Sequence, residues 1–212
     1  MKLYTYFRSS AAYRVRIALN LKGLEVEQIP VHLVNNGGEQ HSEAYRQINP
    51  NELVPTWVED NFKLNQSISI IEYLEEKYPT TALLPSTAEE RALVRAFSLD
   101  IACDIHPLNN LRVLQYLTGQ LNITDEQKTE WYKHWVMTGF NAIEKQLKNS
   151  NGKFCFGEQA TLADCCLIPQ VYNALRFNID LSAYPTIQSI YNHCNQLAAF
   201  QQAAPEAQLE AA

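Results

Sequence analysis

Lys2 to Tyr6 is a β-prone run that alternates in character, and it reads as a strand closed by a turn. From Ala11 to Lys22 the apolar residues Val15, Ala18 and Leu19 recur at i, i+3 and i+4. Lys22-Gly23 adds a basic last turn and a glycine stop, so this segment is expected to be an amphipathic helix with its C-cap. Glu25 to Leu33 returns to a β pattern. Residues 2–33 should therefore form a strand-helix-strand unit, its strands parallel and joined by a right-handed crossover.

Asn35-Asn36-Gly37-Gly38 makes a loop, and Asn49-Pro50 is a turn signal. Two short strands fit Thr56 to Val58 and Phe62 to Leu64 around the Glu59-Asp60-Asn61 turn. Ile70, Tyr73, Leu74 and Tyr78 mark a helix that Pro79 ends. The order β-α-β-(loop/helix)-β-β-α predicts an α/β thioredoxin-like N-terminal domain over residues 1–80. Beyond Pro85 strand alternation ceases, and Thr87 to Leu121 and Asp125 to Lys148 carry helical periodicity. Trp131, Trp135, Thr138 and Ala142 share one face of the second stretch, with the Trp pair expected in the core. An all-α C-terminal domain is thus expected over 87–212, after a proline-flanked linker at 81–86. The tail from Ala203 to Ala212 is small and polar and is expected to fray.

Composition narrows the class. Of 212 residues, 46% are apolar and 19% charged, which requires a packed core and excludes a disordered or coiled-coil chain. A formal net charge of -6, without a long Lys/Arg cluster, argues against nucleic acid as a partner. No apolar stretch approaches a membrane span, and the N-terminal one breaks too early for a signal peptide. The five cysteines are odd in number and lack metal-ligand spacing, so a reduced, cytoplasmic protein without a structural metal is expected.

Four sites carry candidate chemistry. Ser9 or Ser10 can cap the first helix, or donate a hydrogen bond to a thiolate whose charge the helix dipole stabilises. Val54-Pro55 precedes a strand, and a cis bond there would turn the Val54 amide outward to pair with a peptide-like ligand. Ser67 is placed to cap the helix after Asn65-Gln66, or to hold a carboxylate at its N-terminus. Thr161 and Asp164 form an Asp variant of the capping box, which serves folding and not turnover. Cys165-Cys166 on the same helix reads as core packing.

These pieces, in this order, resemble the cytosolic glutathione transferases, and among them the zeta class, the maleylacetoacetate isomerase family. The resemblance rests on Tyr4-Thr5-Tyr6-Phe7-Arg8-Ser9-Ser10, Arg14-Val15-Arg16-Ile17-Ala18-Leu19, Asn49-Pro50, Val54-Pro55-Thr56, Gln66-Ser67, Ile105-His106-Pro107-Leu108-Asn109-Asn110 and Thr161-Leu162-Ala163-Asp164. It spans Lys2 to about Pro205.

The resemblance implies that glutathione is the cofactor. Ser9 would hydrogen-bond its sulfur, with Ser10 in the same turn. Val54, before a cis Pro55, would pair with the cysteinyl backbone, and Gln66 and Ser67 would hold the γ-glutamyl end. Gln40, His106 and Asn110 fall at further glutathione-contacting positions of a site shared by the two domains. Arg8, Arg14, Arg112 and Arg176 are the candidate cations for a carboxylate-bearing substrate, with Arg176 also a catalytic candidate; a surface salt bridge is the plain alternative for each. His106 is alternatively a packed or capping histidine. The family's usual Ser-Ser-Cys is here Ser9-Ser10-Ala11, so a mechanism that required a protein thiol at that place could not run; the activity the resemblance implies does not need one, because the glutathione thiolate can itself be the nucleophile. The implied activity is cis-trans isomerisation of maleylacetoacetate in tyrosine and phenylalanine catabolism. Maleylpyruvate isomerisation, glutathione conjugation of electrophiles, and a non-catalytic interaction module are the alternatives, and a homodimer is the implied assembly.

Overall fold

The computed structural model describes residues 1–148, 150 and 152–209. The chain divides into two compact units, Met1–Leu83 together with the segment from Gln196 onward, and Leu84–Asn195.

The first unit is built on a four-stranded sheet of order β2-β1-β3-β4, with β1 Lys2–Thr5, β2 Glu27–Pro30, β3 Thr56–Glu59 and β4 Phe62–Asn65. β1 and β2 pair in parallel through the expected crossover, and the other two pairings are antiparallel. The pleat sends Leu3 and Thr5 to the face that carries α1 (Ser10–Lys22) and α3 (Ser67–Lys77), where both are buried. Tyr4 points the other way, toward the short α2 (Glu43–Arg46), and its ring lies 5.9 Å from that of Tyr45. Gly23 ends α1 in the left-handed conformation (φ 66°), as the C-cap reading required.

The periodicity of α1 predicted one apolar stripe, but the helix is buried from Ser10 to Leu19 except at Ala11. The reason lies at the far end of the chain. A helix over Ala198–Ala203, α9 below, packs on α1 and buries Phe200 and Ala203. The expectation that 87–212 forms one helical domain is corrected here, since the chain from Gln196 groups with the first unit; of the tail expected to fray, Ala203 and Pro205 are buried and Pro205–Ala207 is a 3-10 turn, Leu209 is exposed, and 210–212 lie outside the described residues. Arg16, 2% exposed, fastens the arrangement. Its Nε donates to the Ala203 carbonyl (3.0 Å), Nη1 to Thr5 Oγ1 (3.0 Å) and the Tyr6 carbonyl (3.3 Å), and Nη2 to the Phe7 carbonyl (2.9 Å).

The connector after α3 is also held. Lys22 Nζ donates to Glu75 Oε2 (2.7 Å) and to the carbonyls of Tyr78 (3.0 Å) and Thr81 (2.7 Å), and Glu75 Oε2 accepts from the Leu83 amide (2.9 Å). A buried cation and carboxylate thus satisfy the backbone of a segment whose composition suggested a loose linker.

The second unit is helical: α4 Ala88–Leu99, α5 Leu111–Gly119, α6 Asp125–Leu147, α7 Leu162–Arg176 and α8 Pro185–Cys194, followed in the chain by α9 of the first unit. Its core stripe on α6 is Tyr132, Val136, Phe140, Ile143 and Leu147. Trp131 and Trp135 are only half-buried, and Thr138 and Ala142 are exposed, so the Trp stripe expected in the core lies one position off the buried face. The indole of Trp131 donates to the Leu108 carbonyl at 2.8 Å, which suits a ring with one wet edge. The Thr161 and Asp164 pair stands as read: Asp164 Oδ2 accepts from the Thr161 amide (2.8 Å) and hydroxyl (3.0 Å), while Oδ1 accepts from the Cys155 amide (2.8 Å). Burial pushes the Asp164 carboxyl up against these donors, and it pushes the thiols of Cys155 and Cys165 up as well.

Arg16→Met is expected to cost about 3 kcal/mol, because several buried acceptors lose their donor at once, whereas Thr5→Val removes a single bond and costs about 1 kcal/mol. Urea unfolding of the two variants checks the ratio; equal losses contradict the anchoring role.

Candidate active site

The turn between β1 and α1 presents Ser9. Its amide donates to the Tyr6 carbonyl (2.9 Å), and its Oγ accepts from the Ala12 amide (3.2 Å), which makes Ser9 the N-cap. A hydroxyl that accepts from the helix keeps its own proton to donate outward. Ser10 is the first helical residue and is buried. No acidic residue occupies the first turn of α1, so the positive end of its dipole is left uncompensated.

The second helix terminus is that of α3. Ser67 was expected as the cap; the cap is Gln66, at φ 68°, and Ser67 is the first helical residue. The reason is the backbone of Gln66, whose positive φ turns the chain into the helix one residue earlier. Ser67 Oγ accepts from Arg14 Nη1 at 3.2 Å. Arg14 is 2% exposed, so neither a surface salt bridge nor a free substrate cation describes it: it ties α1 to the first turn of α3. The first turn of α3 also lacks an acid. Each of these two helix ends thus carries a serine and no acid, and the Arg14 guanidinium meets the hydroxyl of Ser67.

The Val54-Pro55 bond is cis, and both residues are buried. The turn that holds them is organised by Asn49, which the sequence marked as a turn residue and as part of the family resemblance. Asn49 Nδ2 donates to the Leu53 carbonyl (2.8 Å) and Thr56 Oγ1 (3.0 Å), and its Oδ1 accepts from the Asn51 amide (3.0 Å) and Asn65 Nδ2 (3.2 Å). The Tyr45 hydroxyl donates to the same Leu53 carbonyl at 2.6 Å. Burial pushes the Tyr45 phenol up.

Gln40 is 7% exposed. Its Nε2 lies 3.4 Å from the Leu33 carbonyl and 3.1 Å from His41 Nε2, and its Oε1 has no hydrogen-bond partner among the described residues. Gly38, at φ 105°, admits the amide, since a Cβ there would lie 2.5 Å from Gln40 Nε2. Of the other cations in this unit, Arg8 is exposed, with its guanidinium 4.9 Å from the centroid of the Phe7 ring.

The helical unit contains the remaining candidates. A π-helical turn over Asp100–Ile105 leads into His106, which opens a 3-10 turn to Asn109. Asn110 caps α5, its side chain accepting from the Arg112 amide at 3.2 Å. Arg112 is exposed on the first turn of α5. Arg176 is exposed in the last turn of α7, where the helix dipole favours a cation. Its guanidinium lies 5.6 Å from the Phe177 ring centroid, and that ring stacks on Tyr132 at 3.6 Å, so its base is an ordered aromatic pair.

Residues 3–82 match the model of the glutathione S-transferase N-terminal domain, and residues 112–202 that of the glutathione S-transferase C-terminal domain. The chain belongs to the glutathione S-transferase family. Within the family its relatives include maleylacetoacetate and maleylpyruvate isomerases. It is 53% identical over 209 residues to a probable maleylacetoacetate isomerase of Vibrio cholerae, covering 99% of this chain and 97% of that one. A holo structure of maleylpyruvate isomerase, a bacterial zeta-class transferase, matches all of both chains with a TM-score of 0.96 and 44% identity. A maleylacetoacetate isomerase from Methylobacterium extorquens, solved with bound malonate and glutathione, matches all of both chains with a TM-score of 0.94 and 37% identity.

Asn49→Ala is expected to destabilise the protein by about 3 kcal/mol, since four bonds of a buried amide are lost together. Thermal or urea unfolding measures the loss, and a change below about 1 kcal/mol contradicts the central place of Asn49.

Proposed function

We propose that this protein is a glutathione-dependent cis-trans isomerase that converts maleylacetoacetate to fumarylacetoacetate in tyrosine and phenylalanine breakdown. The observation that carries the reading is the pair of acid-free helix N-termini, Ser9 on one and Ser67 on the other, joined by buried Arg14. Such a site suits an anionic peptide with a thiol. Glutathione has these features.

Bound glutathione supplies a thiolate that adds reversibly to the maleyl double bond, allows rotation about the bond now single, and is expelled to leave the fumaryl isomer. Ser9 donates its hydroxyl proton in a hydrogen bond to the sulfur, and the α1 dipole lowers the thiol's affinity for its proton. Ser10 shapes the same turn. Val54, before cis Pro55, pairs its backbone with the tripeptide, while Gln66 and Ser67 hold the γ-glutamyl carboxylate with Arg14 behind Ser67. Gln40, His106 and Asn110 are assigned to glutathione recognition. Exposed Arg8, Arg112 and Arg176 are the cations offered to substrate carboxylates, and Arg176 is the foremost because its aromatic base orients it. A cytoplasmic homodimer is the assembly proposed on family grounds. Maleylpyruvate is the second substrate reading, favoured by the match over all of both chains to a maleylpyruvate isomerase.

Maleylacetone, a stable analogue, is expected to be converted to its trans isomer with free thiol conserved. Ser9→Ala should lower kcat/KM roughly 100-fold and move the acid limb of its pH profile upward, as the thiol loses a donor. Thiol consumed in step with substrate overturns the isomerase reading in favour of conjugation. Turnover of maleylpyruvate alone selects the second substrate.

A further inference from the structure

The two faces of the sheet are covered unequally. Leu3 and Thr5 lie under α1 and α3, helices of 13 and 11 residues, whereas the opposite face meets α2, of four residues. A single turn of helix advances only about 6 Å and leaves part of that face open. Between α2, the edge strand β2 and the Asn36-Gly37-Gly38 turn lies an open hollow of about 570 Å³, a size that suits a small molecule. Its floor is Tyr4, Ile29, Val31, Tyr45 and Ile48, with the two phenol rings 5.9 Å apart and inclined at 56°. Tyr4 and Ile29 are register partners of β1 and β2, so their side chains leave the same face of the sheet.

No Lys or Arg lines the hollow, and one carboxylate does. Glu39 is fastened at the rim by two bonds to one residue: its amide donates to the His32 carbonyl (2.8 Å), and its Oε2 accepts from the His32 amide (2.7 Å). Among the described residues no cation pairs with it. The nearby candidates are engaged by Glu52, whose Oε1 accepts from Arg46 Nε at 3.1 Å and whose Oε2 contacts His41 Nδ1. The Tyr4 hydroxyl likewise makes no hydrogen bond among the described residues, whereas that of Tyr45 is held by Leu53 and Thr56. A fixed carboxylate without a cation, beside two tyrosine rings and an aliphatic floor, is complementary to an organic ammonium ion. The carboxylate and the rings attract its charge, and the floor accepts its apolar body. An organic anion would meet a like charge there and no lysine or arginine. The geometry points to this hollow as a binding site for a small organic ammonium ion with an apolar body. The site is independent of the glutathione reading, since Ser9, Val54, Gln66 and Ser67 are not among its lining residues.

The test is calorimetric binding of phenethylammonium, with phenethyl alcohol and 3-phenylpropanoate as neutral and anionic counterparts of similar shape. The ammonium ion should bind roughly tenfold more tightly than the alcohol, and the carboxylate more weakly than either. Glu39→Gln keeps an oxygen for the His32 amide but removes the charge, and it should bring the ammonium ion to within about twofold of the alcohol. Added salt should weaken ammonium binding to the unmodified protein and leave binding to Glu39→Gln unchanged. Ala44→Trp, at an exposed position on the wall, should fill the hollow and lower affinity for ammonium ion and alcohol alike by roughly tenfold. In amide NMR spectra phenethylammonium should shift Tyr4, Ile29, Tyr45 and Ile48. Absence of phenethylammonium binding, equal binding of the three compounds, a preference for the ammonium ion that survives Glu39→Gln, or full affinity in Ala44→Trp overturns the inference. Shifts confined to the segments around Ser9, Val54 and Ser67 overturn it as well, by placing the amine in the site assigned to glutathione.

Discussion

A guanidinium cannot shed its charge in a protein, so burying one obliges the fold to surround it with acceptors. Arg16 imposes that obligation at the centre of the first unit, and the chain meets it with groups that the function needs in place. The Tyr6 and Phe7 carbonyls belong to the turn that carries Ser9, Thr5 ends the strand before it, and Ala203 comes from the last helix. Setting the guanidinium sets the path of the turn, and the turn decides whether Ser9 caps α1 or points elsewhere. The same residue draws the C-terminal segment over α1, which makes the tail part of the cofactor unit's core.

A second arginine on α1, Arg14, lies two positions earlier and points to a different neighbour. Its bond to Ser67 Oγ puts positive charge behind the N-terminus of α3, where a helix already presents free amides. Two of the protein's own thiols are treated in the opposite way. Burial raises Cys155 and Cys165, with the Asp164 carboxylate adding to the effect, so both stay protonated and inert. The chain thus keeps reactive sulfur out of its core, and the proposed function assigns thiolate stabilisation to Ser9 and α1, for a sulfur that is brought in. Ala11 in place of a cysteine is consistent with that division.

Local pattern made much of the first unit legible. Alternation over Lys2 to Tyr6, the i, i+3, i+4 spacing of Val15, Ala18 and Leu19, and Lys22-Gly23 each report a short-range preference, and the strand, helix and cap stand where they point. Thr161 and Asp164 were legible for the same reason, since a capping box spans four residues. The return of Ala198–Ala203 to α1 was not, because a contact across more than 180 positions leaves no period in the sequence. The α6 stripe failed more narrowly. Neighbouring residues on a helix are about 100° apart, so a stripe through Trp131 and one through Tyr132 fit the periodicity almost equally well, and only the packing partner selects between them. Asn49 and Arg16 were visible as a turn residue and part of a motif, but their bonds reach groups that the fold alone brings near.

Backbone strain gives an independent bearing on where the first unit works. Six non-glycine residues have positive φ among those described, and four are Asn or Asp, which tolerate that region through their own short side chains. The other two are Glu52 and Gln66. Such positions cost on the order of 1 kcal/mol or more and persist where surrounding contacts enforce them. Glu52 is enforced by His41 and Arg46, and it stands two residues before Val54. Gln66 leads directly into Ser67, whose hydroxyl Arg14 engages. Here both flank segments, Val54-Pro55 and Ser67, to which the proposed function assigns cofactor contacts. Relieving either one would let the adjoining segment, Val54-Pro55 or the start of α3, relax toward ordinary geometry.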